Sequence, residues 1–175
     1  MTSVIKVDTI QNSTGTSALS IGADGSLGVK GLSYRPAFYA VPAAGDGLNV
    51  GFSAGSTMRY GDAVTNVGNH YNPSTFEFTA PVDGLYFISA SISPGNATST
   101  NVWIGMRILK NGSNIATQGW ELSHVDVVSG NNQYANLNHN CVLNLVSGDV
   151  LKVVVPYNTF NGDIGFGHFA GYLIG

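Results

Sequence analysis

Two histidine–carboxylate pairs are the first places where this 175-residue chain could do chemistry. Asp163 lies shortly before His168, and His124 and Asp126 have the spacing of side chains on one face of a strand. A carboxylate beside a histidine can form a general base, and both residue types ligate metals. Zinc usually takes three or four protein ligands, however, so two ligands make a poor site. For Asp163 and His168 we expect a surface-turn carboxylate and a partly buried ring. For His124 and Asp126 we expect a hydrogen bond along the strand face as readily as a metal site.

The serine and cysteine residues also lack the sequence motifs that surround catalytic nucleophiles. No Gly-x-Ser-x-Gly elbow frames a serine. Cys141 is the only cysteine, which excludes an internal disulfide and a thiolate zinc cluster. Its place in an alternating, strand-like run predicts a buried structural thiol. The sequence therefore predicts that the protein is not an enzyme and holds neither a metal nor a cofactor.

Charged residues are scarce, at 10% of the chain, against about 25% in an ordinary soluble domain. The seven Lys and Arg residues are scattered singly, so nucleic acid is not an expected partner. We expect no membrane insertion, because no apolar stretch has the length of a bilayer span, and the N-terminus lacks a signal-peptide pattern. So little charge favours a protein that covers much of its surface in an assembly. The alternative is a monomer coated in Asn, Ser, Thr and Gly.

Residues 1–32 differ from the rest of the chain because their apolar residues are few and widely spaced. No helical period is present, and turns at Thr14-Gly15 and Asp24-Gly25 predict short β pieces. So few apolar contacts do not offset an ordering cost of about 1–2 kcal/mol per residue. We predict an arm that anchors the protein to a partner, with an unstructured terminus as the alternative. The anchoring residues are Val4, Ile5, Val7, Ile10, Leu19, Ile21, Leu27 and Val29.

Residues 33–175 show strands and turns throughout, which predicts an all-β sandwich or jelly roll. Asn111-Gly112 between strand-forming residues is a strong hairpin signal, because both positions tolerate positive φ. Tyr86 and Phe87 follow a Pro81 to Gly84 turn. As neighbours on a strand, one must face the core and the other must face outward.

An ordered series of motifs in this region resembles the C1q/tumour-necrosis-factor-like family. The motifs are Arg35-Pro36-Ala37-Phe38, the turn from Asn66 to Thr75, the run from Phe76 to Phe87, Leu109-Lys110-Asn111-Gly112, the run from Leu143 to Val150, and the run from Phe169 to Ile174. The resemblance implies a ten-stranded jelly roll that forms a homotrimer. It also implies that the first and last strands lie near the three-fold axis, which makes Phe38, Phe169 and Tyr172 trimer-interface candidates. Some members bind calcium, but no dense acidic cluster carries that property over to this chain.

The arm is similar to the starts of virion proteins of tailed bacteriophages, through residues 4–13 and 18–25. This similarity implies a structural component of the virion, made in the host cytoplasm and anchored to a major capsid or tail protein. Its role would be that of a capsid decoration, or cement, or a tail fibre. One alternative is a receptor- or glycan-binding tip for host attachment, with Trp120, Tyr134 and Tyr157 as contacts. Another is a secreted cellular C1q-like binding protein.

Overall fold

The computed structural model describes residues 8–11, 13–15, 17–21, 23, 27–29, 35–43, 55–95, 102–115, 120–125, 136–156 and 163–175. These residues form fifteen β-strands and no helix, so none of them belongs to a helix that could cross a membrane. The chain divides into two compact units, Met1–Arg35 and Pro36–Gly175. The all-β class predicted from the sequence is confirmed.

The strands are numbered in chain order. They are β1 Thr9–Gln11, β2 Ser17–Ile21, β3 Leu27–Val29, β4 Ala37–Val41, β5 Ser56–Thr57, β6 Asp62–Val67, β7 Tyr71–Asn72, β8 Glu77–Thr79, β9 Gly84–Gly95, β10 Val102–Lys110, β11 Ser113–Asn114, β12 Trp120–Val125, β13 Leu137–Leu145, β14 Val150–Val155 and β15 Asp163–Leu173.

The first unit contains a small antiparallel sheet in the order β1-β2-β3. Ile10 and Ile21 are exposed. Gly15 turns the chain between β1 and β2 with a φ of 79°. The short β pieces predicted for the arm are present. Of the other predicted anchoring residues, Leu19, Leu27 and Val29 lie in strands, whereas Val4, Ile5 and Val7 lie outside the described residues.

The second unit is a jelly-roll sandwich of two antiparallel sheets. One sheet has five strands in the order β13-β9-β15-β4-β6. The other has seven strands, with the path β11-β10-β14-β8-β7, while β12 pairs with β10 and β5 pairs with β14. The predicted count of ten strands is not confirmed, because the described residues of this unit form twelve strands, including the two-residue strands β5, β7 and β11.

Side-chain alternation along each strand builds the core between the two sheets. In β9, Tyr86, Ile88, Ala90 and Ile92 are all buried. Tyr86 is therefore the aromatic that faces inward, and its hydroxyl donates to the Val82 carbonyl at 2.8 Å. Aromatic rings occupy the middle of the core. The Phe38 ring stacks on Phe78 with centroids 4.6 Å apart and meets Phe169 edge-on at 4.8 Å.

Asp149 ties two turns together at one end of the sandwich, the turn after β10 and the turn between β13 and β14. Its carboxylate accepts hydrogen bonds from Lys110 Nζ at 2.7 Å, Asn111 Nδ2 at 2.7 Å and the Val146 amide at 2.9 Å. Asn111 Oδ1 in turn accepts from the Val150 amide at 2.8 Å. The Lys110 hydrogen bond, followed by those from Val146 and Asn111, lowers the pKa of Asp149 to about 2.

Removing this carboxylate should destabilise the fold. We expect Asp149→Ala to lower the free energy of unfolding by about 2 kcal/mol, because three part-buried donors lose a charged acceptor. The matched control is Glu77→Gln, which breaks a half-exposed ion pair to Lys152 and should cost no more than about 1 kcal/mol. Urea unfolding at pH 7 measures both. Because the pKa is depressed, the Asp149 contribution should persist above pH 3.8 and disappear as the pH falls toward 2. Equal losses for the two variants would contradict this role.

Candidate assembly face of the five-stranded sheet

The side chains of the five-stranded sheet that point away from the core form what we call the outer face. Strand pairing aligns them in rows across all five strands. One row consists of Val67, Ala37, Tyr172, Phe87 and Val142. The next row consists of Thr65, Tyr39, Ala170, Ser89 and Asn140. None of these residues carries a charge.

The first row is strongly apolar and open to solvent in the single chain. Tyr172 is 50% exposed and Val142 is 55% exposed, at the centre and at one edge of the sheet. The Phe87 and Tyr172 rings lie against each other with centroids 5.5 Å apart. Tyr39, in the second row, is also exposed. A contiguous exposed apolar patch of this kind is typical of a protein–protein contact surface.

His168 lies in the third row, on the central strand β15 beside Ser91 of β9. Its Nε2 is 2.8 Å from Ser89 Oγ and its Nδ1 is 2.7 Å from Ser91 Oγ. Ser91 Oγ already accepts the His168 amide proton at 3.1 Å, so its own hydroxyl proton is available for Nδ1. This arrangement fits a neutral imidazole whose Nε2–H donates to Ser89 and whose Nδ1 accepts from Ser91. Burial lowers the pKa of His168, and the Tyr39 ring lies 5.8 Å away.

These contacts show the structural roles of the residues that the sequence offers for catalysis or metal binding. The His168 nitrogens bond two serines, and the side chain of Asp163 is not among those described. His124 lies in β12, whereas Asp126 falls outside the described residues. Cys141 is half-buried against the core, and this burial raises the pKa of its thiol. In the described part of the chain, no three His, Cys, Asp or Glu side chains are grouped to hold a metal.

The three predicted interface residues divide between the two faces of the sheet. Phe38 is 3% exposed and Phe169 is 0% exposed within the single chain. Their side chains belong to the core, so the prediction that they contact another subunit is corrected. Tyr172 alone points outward, because it lies an odd number of residues from Phe169 along β15. Of the three residues, Tyr172 on the outer face is the one for which contact with another subunit stays a prediction.

The predictions from the sequence do not include several residues of the outer face. Tyr39 follows the core residue Phe38, and Val142 follows Cys141, so both occupy outward positions of their strands. The signal for such a residue is an aromatic at an outward position next to one at an inward position. The predictions from the sequence apply this signal to Tyr86 and Phe87. Of the predicted ligand contacts, Trp120 begins β12 but its side chain is not described, and Tyr134 and Tyr157 lie outside the described residues.

Comparison with known proteins identifies the second unit. The C1q domain family matches residues 37–174 of the chain. Among solved structures, the globular domain of zebrafish complement 1qA protein is similar, with a TM-score of 0.57 and 14% sequence identity. The match covers 81% of this chain and 98% of the zebrafish chain. At this level of identity the structural likeness supports the fold alone.

Proposed function

The chain belongs to the C1q domain family, and we propose that it is a non-enzymatic structural protein that works as a homotrimer assembled through its outer face. Proteins with C1q domains commonly form trimers, and the domain is generally a binding module without catalytic activity. A three-fold ring uses two different patches on each subunit, so the outer face would meet a different surface of the next subunit.

The apolar row of the outer face is the observation that carries this proposal. Tyr172, Phe87 and Val142 lie side by side on three neighbouring strands, with no charged side chain in their row. Full burial of such a side chain contributes about 1.5–3 kcal/mol. Contact between subunits would remove this row from water three times over, once in each subunit. Assembly also accounts for a chain in which only 10% of the residues are charged.

We further propose that the arm attaches the trimer to another virion protein, a major capsid or tail protein. The arm belongs to a compact unit of its own, Met1–Arg35. In its sheet, β1 and β3 each pair only with β2 among the described strands, which leaves an outer backbone edge on both. Such edges can accept a strand of a partner, with Ile10 and Ile21 available as side-chain contacts. Three arms on one trimer would strengthen attachment through effective concentration.

Deleting residues 1–32 should separate attachment from assembly. We expect the truncated chain to fold and to keep the trimer mass, because the outer face lies entirely in the second unit. We also expect it to disappear from purified particles of the phage that encodes it. Light scattering measures the mass, and gel analysis of gradient-purified particles measures incorporation, with the full-length chain as the control.

Two outcomes would contradict the arm proposal. If the truncated protein still decorates particles, attachment does not depend on residues 1–32. If the full-length protein is absent from particles, the proposed role as a virion component is wrong. A cellular C1q-like binding protein, with which the family match is compatible, would then be favoured.

A further inference from the structure

We propose that His168 makes the association of subunits sensitive to pH, so that its protonation in mildly acidic solution separates the trimer. This inference rests on the proposed assembly through the outer face. His168 lies on the central strand of the five-stranded sheet and belongs neither to the core nor to the arm.

Both nitrogens of the neutral imidazole have hydrogen-bond partners in this position. Ser89 and Ser91 bond its two nitrogens at 2.8 and 2.7 Å, and both partners are uncharged hydroxyls. The Tyr39 ring lies to one side at 5.8 Å. An imidazolium in the same place would have two hydroxyl acceptors and, in the described part of the chain, no negative partner in contact. A charge without a counter-charge is costly to remove from water.

The strands around His168 offer little negative charge that could balance an imidazolium. On β9 the facing side chains are Ser89 and Ser91, and on β13 Asn138 pairs with Ser91. On β4 they are Tyr39 and Val41, both uncharged. On β15 itself, Asp163 lies five residues before His168, and its side chain is not among those described. Among the described residues of β4, β6, β9 and β13, the one acid on this side is Asp62, which pairs with Val41. Asp62 is two strands from His168, a separation of about 9–10 Å across the sheet.

The direction of the pH effect follows from burial. Partial burial already lowers the pKa of His168 from 6.5 in the single chain. Covering the outer face with another subunit removes more water and lowers this pKa further. Association is then at full strength above the pKa of the free subunit and weakens as the pH falls below it. Because each of three subunits must release one proton to assemble, the trimer dissociation constant can rise up to about a thousandfold per pH unit.

Sedimentation velocity at pH 7.5 and 5.5 tests this proposal on the full chain at low micromolar concentration. We expect the wild-type protein to be trimeric at pH 7.5 and to dissociate at pH 5.5, with unchanged circular dichroism. His168→Gln should remain trimeric at both values, because its amide can bond the serines but does not titrate. His70→Gln, in the turn between β6 and β7, is the matched control and should dissociate like the wild-type protein.

The outcomes distinguish this inference from the proposed function. A wild-type trimer that persists unchanged at pH 5.5 overturns the pH switch and leaves the trimer standing. A monomer at pH 7.5 overturns the trimer itself. If His168→Gln does not assemble, NMR titration of His168 decides, using the wild-type trimer and a monomeric Val142→Glu variant, whose carboxylate lies on β13, two strands from His168. The pKa must be lower in the trimer, and equal values reject the switch.

Discussion

Gly167→Ala is expected to prevent the second unit from folding stably. Gly167 has a φ of 148° and pairs with Ile92, shortly after the register shift of β15 against β9 between Ile164 and Phe166. A Cβ atom here would overlap the Ser91 carbonyl oxygen and would lie 3.1 Å from the Ile92 Cα atom. Both are backbone atoms of β9, which is held on its other side by β13. The clash therefore cannot be relieved by a side-chain rotation.

We expect Gly167→Ala to lower the free energy of unfolding by more than about 4 kcal/mol, a loss associated with overpacking combined with backbone strain. Gly112→Ala is the matched control. Gly112 also has a positive φ, 76°, but nothing lies within 4 Å of the added Cβ, so the loss should be about 1 kcal/mol from conformation alone. Urea denaturation followed by circular dichroism compares the two. Similar losses would show that the close approach of β15 to β9 is not as described.

Ala170→Glu is expected to convert the trimer into folded monomers. Ala170 lies on the central strand of the sheet, between Tyr39 and Ser89 in the second row of the outer face. Assembly would bury three carboxylates without partners, at an effective cost of several kcal/mol for each charge. We expect the trimer dissociation constant to rise more than about a thousandfold, which corresponds to about 4 kcal/mol.

Thr79→Glu supplies the matched control for assembly. Thr79 is exposed on β8 of the seven-stranded sheet, so a carboxylate there stays in water. Light scattering at micromolar concentration should give a monomer for Ala170→Glu and a trimer for Thr79→Glu, both with wild-type circular dichroism. A trimer for Ala170→Glu would exclude the outer face as the contact surface.

Local signals in the sequence were sufficient for the fold class. Asn111 and Gly112 form the predicted hairpin turn, with φ values of 52° and 76° and Lys110 paired to Ser113. Tyr86 and Phe87 face opposite sides of the sheet, as neighbours on a strand must. These features depend on residues close together in the chain, and short-range conformational preferences determine them.

The outer face depends on contacts that are remote in sequence. The order β13-β9-β15-β4-β6 brings Val142, Phe87 and Tyr172 into one row, and no local pattern encodes that order. His168 bonds serines that precede it by 77 and 79 residues. Alternation alone cannot distinguish the two faces of a sheet when both carry aromatics. For this reason the sequence predicts interface positions for Phe38 and Phe169, although both belong to the core.

Sedimentation equilibrium of the full-length chain at pH 7.5 tests assembly through the outer face most directly, because it gives mass without assuming a shape. A homotrimer predicts a mass about three times that of the 18.3 kDa chain, constant over the micromolar concentration range. A constant mass of 18.3 kDa would contradict it, since the apolar row of Tyr172, Phe87 and Val142 would then remain in water.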